Sequence, residues 1–137
     1  MEAKDNTIKN EVFGEMVFQH GWQGKTEVVL WGKSYKIILD AAAYTKTEAI
    51  SAEQEEAYAK FKKSISEKQK LIESLLMDYF DNELDEQEMI QRLIPTSLVI
   101  EREGETALLL SDNKDPDNGL AVVLSPDEEV MTQDEFL

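Results

Sequence analysis

The 137-residue chain is predicted to fold as an α+β domain, because β-like segments stand at both ends and helix-like segments stand between them. We expect an antiparallel sheet, built from an N-terminal meander and C-terminal strands, with two or three helices covering one face. Hydrophobic residues make up 42% of the chain and charged residues 31%, as in ordinary globular proteins. Without a repeat or a Pro/Gly/Ser-rich linker, residues 1–137 are predicted to form one domain, with residues 1–10 as a frayed terminus.

The N-terminal block predicts a three-stranded meander. An apolar stretch around Gly14 predicts the first strand. Polar and apolar residues alternate in residues 25–31 and again in residues 34–40, which predicts two further strands joined by a hairpin turn at Gly32–Lys33. The side chains predicted to face the core are Thr26, Val28, Leu30, Tyr35, Ile37 and Leu39.

The middle block predicts helices. Ser51 and Gln54 fit a capping box, in which each side chain accepts a hydrogen bond from the other residue's backbone N–H. The apolar residues that follow fall mostly three and four apart, which predicts one buried stripe. A second capping pattern at Ser64 predicts a break or kink, and a short third helix is predicted over residues 85–93. The stripe contains Tyr58, Phe61, Ile65, Ile72, Leu75, Leu76, Tyr79 and Phe80.

The last block returns to β structure. Residues 97–101 and 106–110 flank a Glu103–Gly104 turn, and residues 119–124 form the next predicted strand. The second and third of these strands are almost continuously apolar, which is typical of strands covered on both faces. We therefore predict that they are the central strands of the sheet.

The composition argues against several kinds of chemistry. The chain has no cysteine, which removes disulfides, thiolate metal sites and cysteine nucleophiles. Its single histidine, His20, cannot supply the imidazoles that most zinc and non-haem iron sites use, and no nucleotide-binding or serine-nucleophile motif is present. No apolar run reaches the roughly 18 residues of a membrane span, and the first residues lack the apolar core of a signal peptide. A cytoplasmic location is expected.

The net charge of −15 is concentrated toward the C-terminus. Residues 1–50 hold 7 acids and 6 bases, net −1, whereas residues 97–137 hold 11 acids and 2 bases, net −9. A negative field repels nucleic-acid phosphates and anionic lipids, and it raises the rate of encounter with basic proteins. We therefore expect no nucleic acid and no membrane as partner, and a basic protein as the best candidate.

The segment SDNKDPDNG, residues 111–119, has two readings. Asp112, Asp115 and Asp117 are hard oxygen ligands of the kind that calcium prefers, so they are weak candidates for a metal site. Neither register of the segment matches an EF-hand loop, however, and Asp-Pro and Asn-Gly are strong turn formers. A plain turn, with no metal and no cofactor, is the favoured reading.

Four further residues are candidates for an interface. Trp22 and Trp31 are either core residues or part of an open patch, since aromatic residues concentrate binding energy. Glu128 and Glu129 belong to the strongly acidic C-terminal part. The alternative is a ligand-binding or divalent-cation-binding domain, or an enzyme, with an acidic pocket near Asp112, Asp115 and Trp22.

Several motifs resemble, in order, a small family of acidic bacterial α+β proteins catalogued only as a domain of unknown function. The shared pattern comprises GW…G in residues 21–24, S-x-x-Q-x-x-A-Y-x-x-F in residues 51–61 and D-x-x-x-G-L-A-V in residues 115–122. The chain departs from it at Asp117–Gly119, where the family has an acid-His-Gly sequence. The resemblance implies no established activity. By analogy of size and charge with immunity proteins that sit beside secreted toxins, we expect a non-enzymatic interaction domain of immunity type.

Overall fold

The structure, a computed structural model, describes residues 6–136 as one eight-stranded sheet with four helices, so the α+β prediction is confirmed. No helix within these residues is long and apolar enough to cross a membrane. The strands are β1 (Thr7–Asn10), β2 (Gly14–Phe18), β3 (Trp22–Leu30), β4 (Lys33–Ala41), β5 (Leu93–Ile100), β6 (Thr106–Asp112), β7 (Leu120–Ser125) and β8 (Glu129–Thr132). The helices are α1 (Ala52–Lys63), α2 (Ile65–Tyr79), α3 (Glu86–Arg92) and α4 (Gln133–Phe136).

The sheet consists of two antiparallel meanders joined edge to edge. The strand order follows the sequence from β1 to β8, and β4 pairs with β5 in parallel, from Ile38 opposite Ser97 to Ala41 opposite Ile100. The prediction of a wholly antiparallel sheet is therefore wrong at this pair. Parallel neighbours need a long crossover connection, and the insertion of α1, α2 and α3 between β4 and β5 supplies one.

The faces of the first meander follow the alternation in the sequence. Val28 and Leu30 of β3 are fully buried, whereas Val29 between them is exposed. The turn lies one residue earlier than predicted, at Trp31 and Gly32, whose φ angles are 51° and 76°. A two-residue turn of this kind requires positive φ at both positions, so Trp31 belongs to the turn and not to the strand.

Residues 7–10, assigned to a frayed terminus by their polar composition, form the edge strand β1. The turn that follows is stabilised by Asn10, whose Oδ1 accepts from the backbone N–H groups of Val12 and Phe13 at 2.8 and 2.9 Å. Its Nδ2 donates to Glu55 of α1 at 2.8 Å. Residues 1–5, the rest of the predicted frayed segment, lie outside the described residues.

The predicted capping box at Ser51 is confirmed, whereas the one predicted at Ser64 is wrong. Ser51 and Gln54 form the predicted capping box. The helix breaks at Ser64 as predicted, but the Ser64 side chain makes no capping bond, so the second capping box is absent. Helix α3 begins after Asp85, which forms its own capping box with Glu88. Buried residues of α1 and α2 join the buried strand residues in one core; they are Tyr58, Phe61, Ile72 and Leu76.

Strands β6 and β7 are buried on both faces, as their apolar runs predicted. Ala107 and Leu108 are adjacent on β6 and both fully buried, as are Ala121 and Val122 on β7. The prediction that these are the central strands is wrong, because β7 lies next to the edge strand β8 and the middle of the sheet is β4–β5. The short helix α4 contacts β7 and β8, which helps to explain burial near this edge.

Candidate functional site

Asp112, the first metal candidate, is held by an arginine. Its side chain is only 3% exposed, and it accepts from Arg92 Nε at 2.8 Å and from Arg92 Nη2 at 3.0 Å. The backbone N–H of Lys114 adds a bond of 2.9 Å. Burial acts to raise the pKa of Asp112, but these donors outweigh it and leave the pKa below its ordinary value. Arg92 also lies over the ring of Phe80, 4.5 Å from its centre.

The other two metal candidates belong to a turn. Both carboxylate oxygens of Asp115 accept from Asn118 Nδ2, at 3.1 and 3.2 Å, and the Asp115 carbonyl accepts from the backbone N–H groups of Asn118 and Gly119. Asp117 is exposed. Among residues 6–136 there is no group of three His, Cys, Asp or Glu side chains placed to hold a metal ion. The geometry of this loop is that of a self-bonded turn.

Trp22 is a core residue. It is 2% exposed, packs edge-to-face against Phe18 at 5.3 Å, and donates from Nε1 to the carbonyl of Glu48 at 2.7 Å. Its candidacy as an interface residue therefore fails, because its side chain does not reach the surface.

The predicted acidic pocket near Trp22, Asp112 and Asp115 does not form. The sheet register carries Trp22 to the end of the sheet where β5 stops at Ile100, opposite Thr106 of β6. Asp112 is six residues further along β6, which is roughly 20 Å at the rise of a β-strand. The residues proposed for this pocket lie at opposite ends of the sheet.

The remaining interface candidates, Trp31, Glu128 and Glu129, differ in exposure. Trp31 is partly buried against the core, and its backbone N–H donates to Glu73 of α2 at 2.7 Å. Glu128 and Glu129 are both exposed, and Glu129 lines a surface groove beside β8. Of these three candidates, the acidic pair is exposed and Trp31 is partly exposed.

Six carboxylates lie around that groove and a second groove beside it, and we call them the acidic surface. They line two adjoining grooves, of about 650 and 290 Å³, which share Glu105 and Pro126. Among residues 6–136, the cation that lines these grooves is Arg102, and it donates to the carbonyl of Ala49 at 2.7 Å. The acidic surface consists of Glu101, Glu103, Glu105, Asp127, Glu129 and Glu135.

Apolar side chains stand among these acids. Tyr44 lines the larger groove and is 89% exposed, which is exceptional for an aromatic residue in this chain. Val123, Met131 and Phe136 line the smaller groove. The two grooves thus combine negative charge with apolar side chains.

A buried polar network positions the larger groove. Gln54 is fully buried, and its Nε2 donates to the carbonyls of Ala42 and Ile100 at 2.9 and 3.0 Å. The Ser51 hydroxyl donates to the carbonyl of Arg102 at 2.7 Å. These bonds connect the N-terminus of α1 to both the loop after β4 and the end of β5, so they fix the two chain segments that line the groove.

The loop bearing Tyr44 is held by the side chain and backbone of one glutamate. Glu48 Oε1 accepts from the backbone N–H groups of Tyr44 and Thr45, and the Glu48 carbonyl accepts from Trp22. Trp22 therefore has an indirect relation to the candidate site: it anchors the loop that presents Tyr44.

Two carboxylates at this end have raised pKa values. Burial raises the pKa of Glu101, and repulsion from Glu105 and Asp40 raises it further. Burial also raises the pKa of Asp40, against a weak hydrogen bond from Gln23 at 3.5 Å. Carboxylates kept near one another without a neutralising cation are typical of functional surfaces.

Sequence reasoning missed Tyr44, Asp40 and the convergence of Glu101 with Glu105. One signal was available, since three of the five residues in the turn 101–105 are acidic. The approach of Asp40 depends on the parallel pairing of β4 with β5, which no local pattern encodes. No protein-family model, curated protein or solved structure matches the chain.

Proposed function

We propose that this protein is a non-enzymatic interaction domain that binds a basic partner protein through its acidic surface. The observation that carries the proposal is the convergence of six carboxylates around two grooves that also expose Tyr44. Opposite charges across an interface raise the association rate and select among partners. A protruding aromatic side chain beside them supplies the desolvated anchor at which binding energy concentrates.

The raised pKa values of Glu101 and Asp40 support this proposal. A carboxylate whose pKa is raised by folding is less stable ionised in the folded chain than in the unfolded chain, so at neutral pH it lowers the free energy of unfolding. A cationic partner placed against Glu101 would offset the repulsion that it experiences from Glu105 and Asp40. Their retention at a cost in stability is expected of a binding surface.

Three narrower statements belong to the same proposal. The partner is a secreted toxin and the protein acts as its immunity factor, within the acidic bacterial family that its motifs resemble. The complex forms in the cytoplasm. The helices α1 to α3 form a layer on one face of the sheet, which leaves the end occupied by the acidic surface open to a partner; the contacts of α2 with β3, β7 and β8 support this arrangement.

Charge reversal tests the proposal directly. The double variant Glu101→Lys/Glu105→Lys alters the acidic surface, and Glu83→Lys/Glu86→Lys makes the same change of net charge at exposed positions near α3. The probe is a synthetic lysine-rich peptide, titrated by calorimetry at low and at physiological ionic strength. We expect the first variant to bind at least about tenfold more weakly and the control to change by less than about threefold.

Equal losses in both double variants would contradict the proposal, because the affinity would then depend on net charge and not on this surface. The variant Tyr44→Ala, which keeps every charge, adds a second criterion. It is expected to weaken association with a folded basic protein, while leaving the salt dependence unchanged.

A further inference from the structure

Strand β3 leaves its neighbour β2 after two residue pairs. The pairing of β2 with β3 comprises only Val17 opposite Gln23 and Phe18 opposite Trp22. On its other side, β3 pairs with β4 over its whole length, as far as Leu30. Within residues 6–136, therefore, the part of β3 that follows Gly24 has a strand partner on one side only.

Two hydrogen bonds to α2 show which backbone N–H groups of β3 point away from β4. The backbone N–H of Val29 donates to Gln69 Oε1 and that of Trp31 donates to Glu73 Oε2, each at 2.7 Å. Because backbone groups alternate in direction along a strand, Lys25 and Glu27 point the same way as Val29, away from β4. Both residues lie between the last residue pair with β2 and the hydrogen bond from Val29 to Gln69.

A groove of about 700 Å³ opens at Lys25 and Glu27, between the β1–β2 turn and the junction of α1 with α2. Its floor is formed by Phe13 and Tyr58, which are 7% and 3% exposed and stack with ring centres 4.9 Å apart. The hydroxyl of Tyr58 lies 2.9 Å from that of Thr26, which fixes the ring against the strand.

The groove has a small excess of positive charge in an acidic protein. Three lysines line it, Lys25, Lys36 and Lys62, against two glutamates, Glu11 and Glu27. Lys62 also lies 5.6 Å from the centre of the Tyr58 ring, at the border of the aromatic floor. A ligand here would meet backbone groups, an aromatic surface and a small excess of positive charge.

We propose that this edge of β3 binds an extended segment of a partner polypeptide as an added strand, in which apolar residues alternate with acidic ones. The backbone of the segment pairs with Lys25 and Glu27, which is the mode by which exposed sheet edges recognise peptides. Its apolar residues face Phe13 and Tyr58, because alternate side chains of a strand share a face. Its acidic residues lie on the other face, beside Lys25 and Lys36.

This site is separate from the acidic surface and does not depend on it. The two share no lining residue, and they select opposite charges. Reversing Glu101 and Glu105 should therefore leave peptide binding at the β3 edge unchanged, so that one proposal can fail while the other stands.

A capped heptapeptide of alternating valine and aspartate is the probe. Binding is followed by amide NMR, and the largest shifts and the greatest slowing of hydrogen exchange are expected at Lys25 and Glu27. Two control peptides are matched to it: one has N-methyl groups on the alternate amides that would face β3, and one has lysine in place of aspartate. Each is expected to bind at least about tenfold more weakly, through lost backbone bonds or reversed charge.

Two variants separate backbone from side chain at the same position. Glu27→Ala keeps the N–H and should retain binding, whereas Glu27→Pro removes it and should abolish binding without disturbing the pairs with β4. If Glu27→Pro fails to fold, the N-methylated peptide decides the question alone. Equal binding of the N-methylated and parent peptides would overturn the proposal, as would dimerisation of the free protein through this edge.

Discussion

The two acidic turns at opposite ends of β6 use their carboxylates in opposite ways. Near the C-terminal end of β6, Asp112 is buried and accepts two hydrogen bonds from Arg92. Near its N-terminal end, Glu101 and Glu105 lie together without an ion pair to any cation of residues 6–136, and the pKa of Glu101 is raised. The buried Asp112 therefore stabilises the fold at one end of β6, whereas Glu101 and Glu105 leave negative charge available for a partner at the other end.

The largest expected effect is at the paired end. Asp112→Ala leaves the Arg92 guanidinium without its buried partner, and we expect a loss of about 3 kcal/mol in the free energy of unfolding, measured by denaturant titration. The exposed neighbour Asp117 is the control, and Asp117→Ala should cost less than about 0.5 kcal/mol. Similar losses in the two variants would show that the pair with Arg92 contributes nothing special.

The effect of Asp112 should depend on pH in a defined direction. Its pKa is lowered by folding, so its stabilisation is present above the carboxyl pKa of the unfolded chain and is lost as pH falls through the lower folded value. The difference between wild type and Asp112→Ala is therefore expected to shrink in acid, below the ordinary value of 3.8. A difference that grows in acid would contradict this assignment.

Removal of the buried amide should be the next largest effect. Gln54→Ala removes the side-chain half of the capping box and leaves the Ala42 carbonyl without its donor, while the Ile100 carbonyl keeps only the Ala42 N–H; we expect a loss of about 2 kcal/mol. Hydrogen exchange in residues 42–50 should also accelerate, because this loop is tied to α1 through Gln54. The exposed neighbour Glu53 serves as the control through Glu53→Ala, which should leave both measurements nearly unchanged.

At the end of β6 near Glu101, removal of a carboxylate charge should raise the free energy of unfolding instead of lowering it. Glu101→Gln removes a charge that folding disfavours, so the variant should be more stable than wild type at neutral pH, by less than about 1 kcal/mol because water screens a partly exposed group. A raised folded pKa makes wild type lose stability as pH rises from the ordinary value of 4.5 toward that raised value. The gain should therefore appear above this window and vanish below it, whereas Glu103→Gln, which is fully at the surface, should show little gain.

The smallest effect is expected from calcium. Asp112 and Asp115 already hold internal hydrogen bonds, so binding at this loop would require breaking them. We expect the melting temperatures of wild type and Asp117→Asn to respond to calcium identically. A response that disappears only in Asp117→Asn would restore the metal reading of the loop.

Local patterns predicted local structure. The alternation of Thr26, Val28 and Leu30 identified the buried face of β3, and the serine–glutamine spacing identified the start of α1, because both depend on residues within one turn or one strand. The edge strand β1 escaped notice because TIKN is polar, and its pairing with β2 depends on the turn that Asn10 caps.

The candidate site required information that no segment contains by itself. Asp40 and Glu101 are far apart in the chain, and they meet only because β4 and β5 run parallel with Asp40 opposite Val99. Trp22 illustrates the same limit, since its buried indole donates to the carbonyl of Glu48 in a loop that is distant in sequence. Composition predicted an acidic C-terminal region, but the tertiary fold decides which of its acids remain unpaired.

The parallel pair has a consequence for how the chain folds. Every other pair of strands is joined by a short turn, whereas β4 and β5 can meet only after the ends of residues 42–92 have been brought together, which costs more chain entropy than any hairpin. The larger groove is lined by Tyr44, which follows β4, and by residues 101–105, which follow β5. Either meander made alone would therefore lack it, and the capacity to bind through Tyr44 and Glu101 should emerge during refolding only with the final cooperative step.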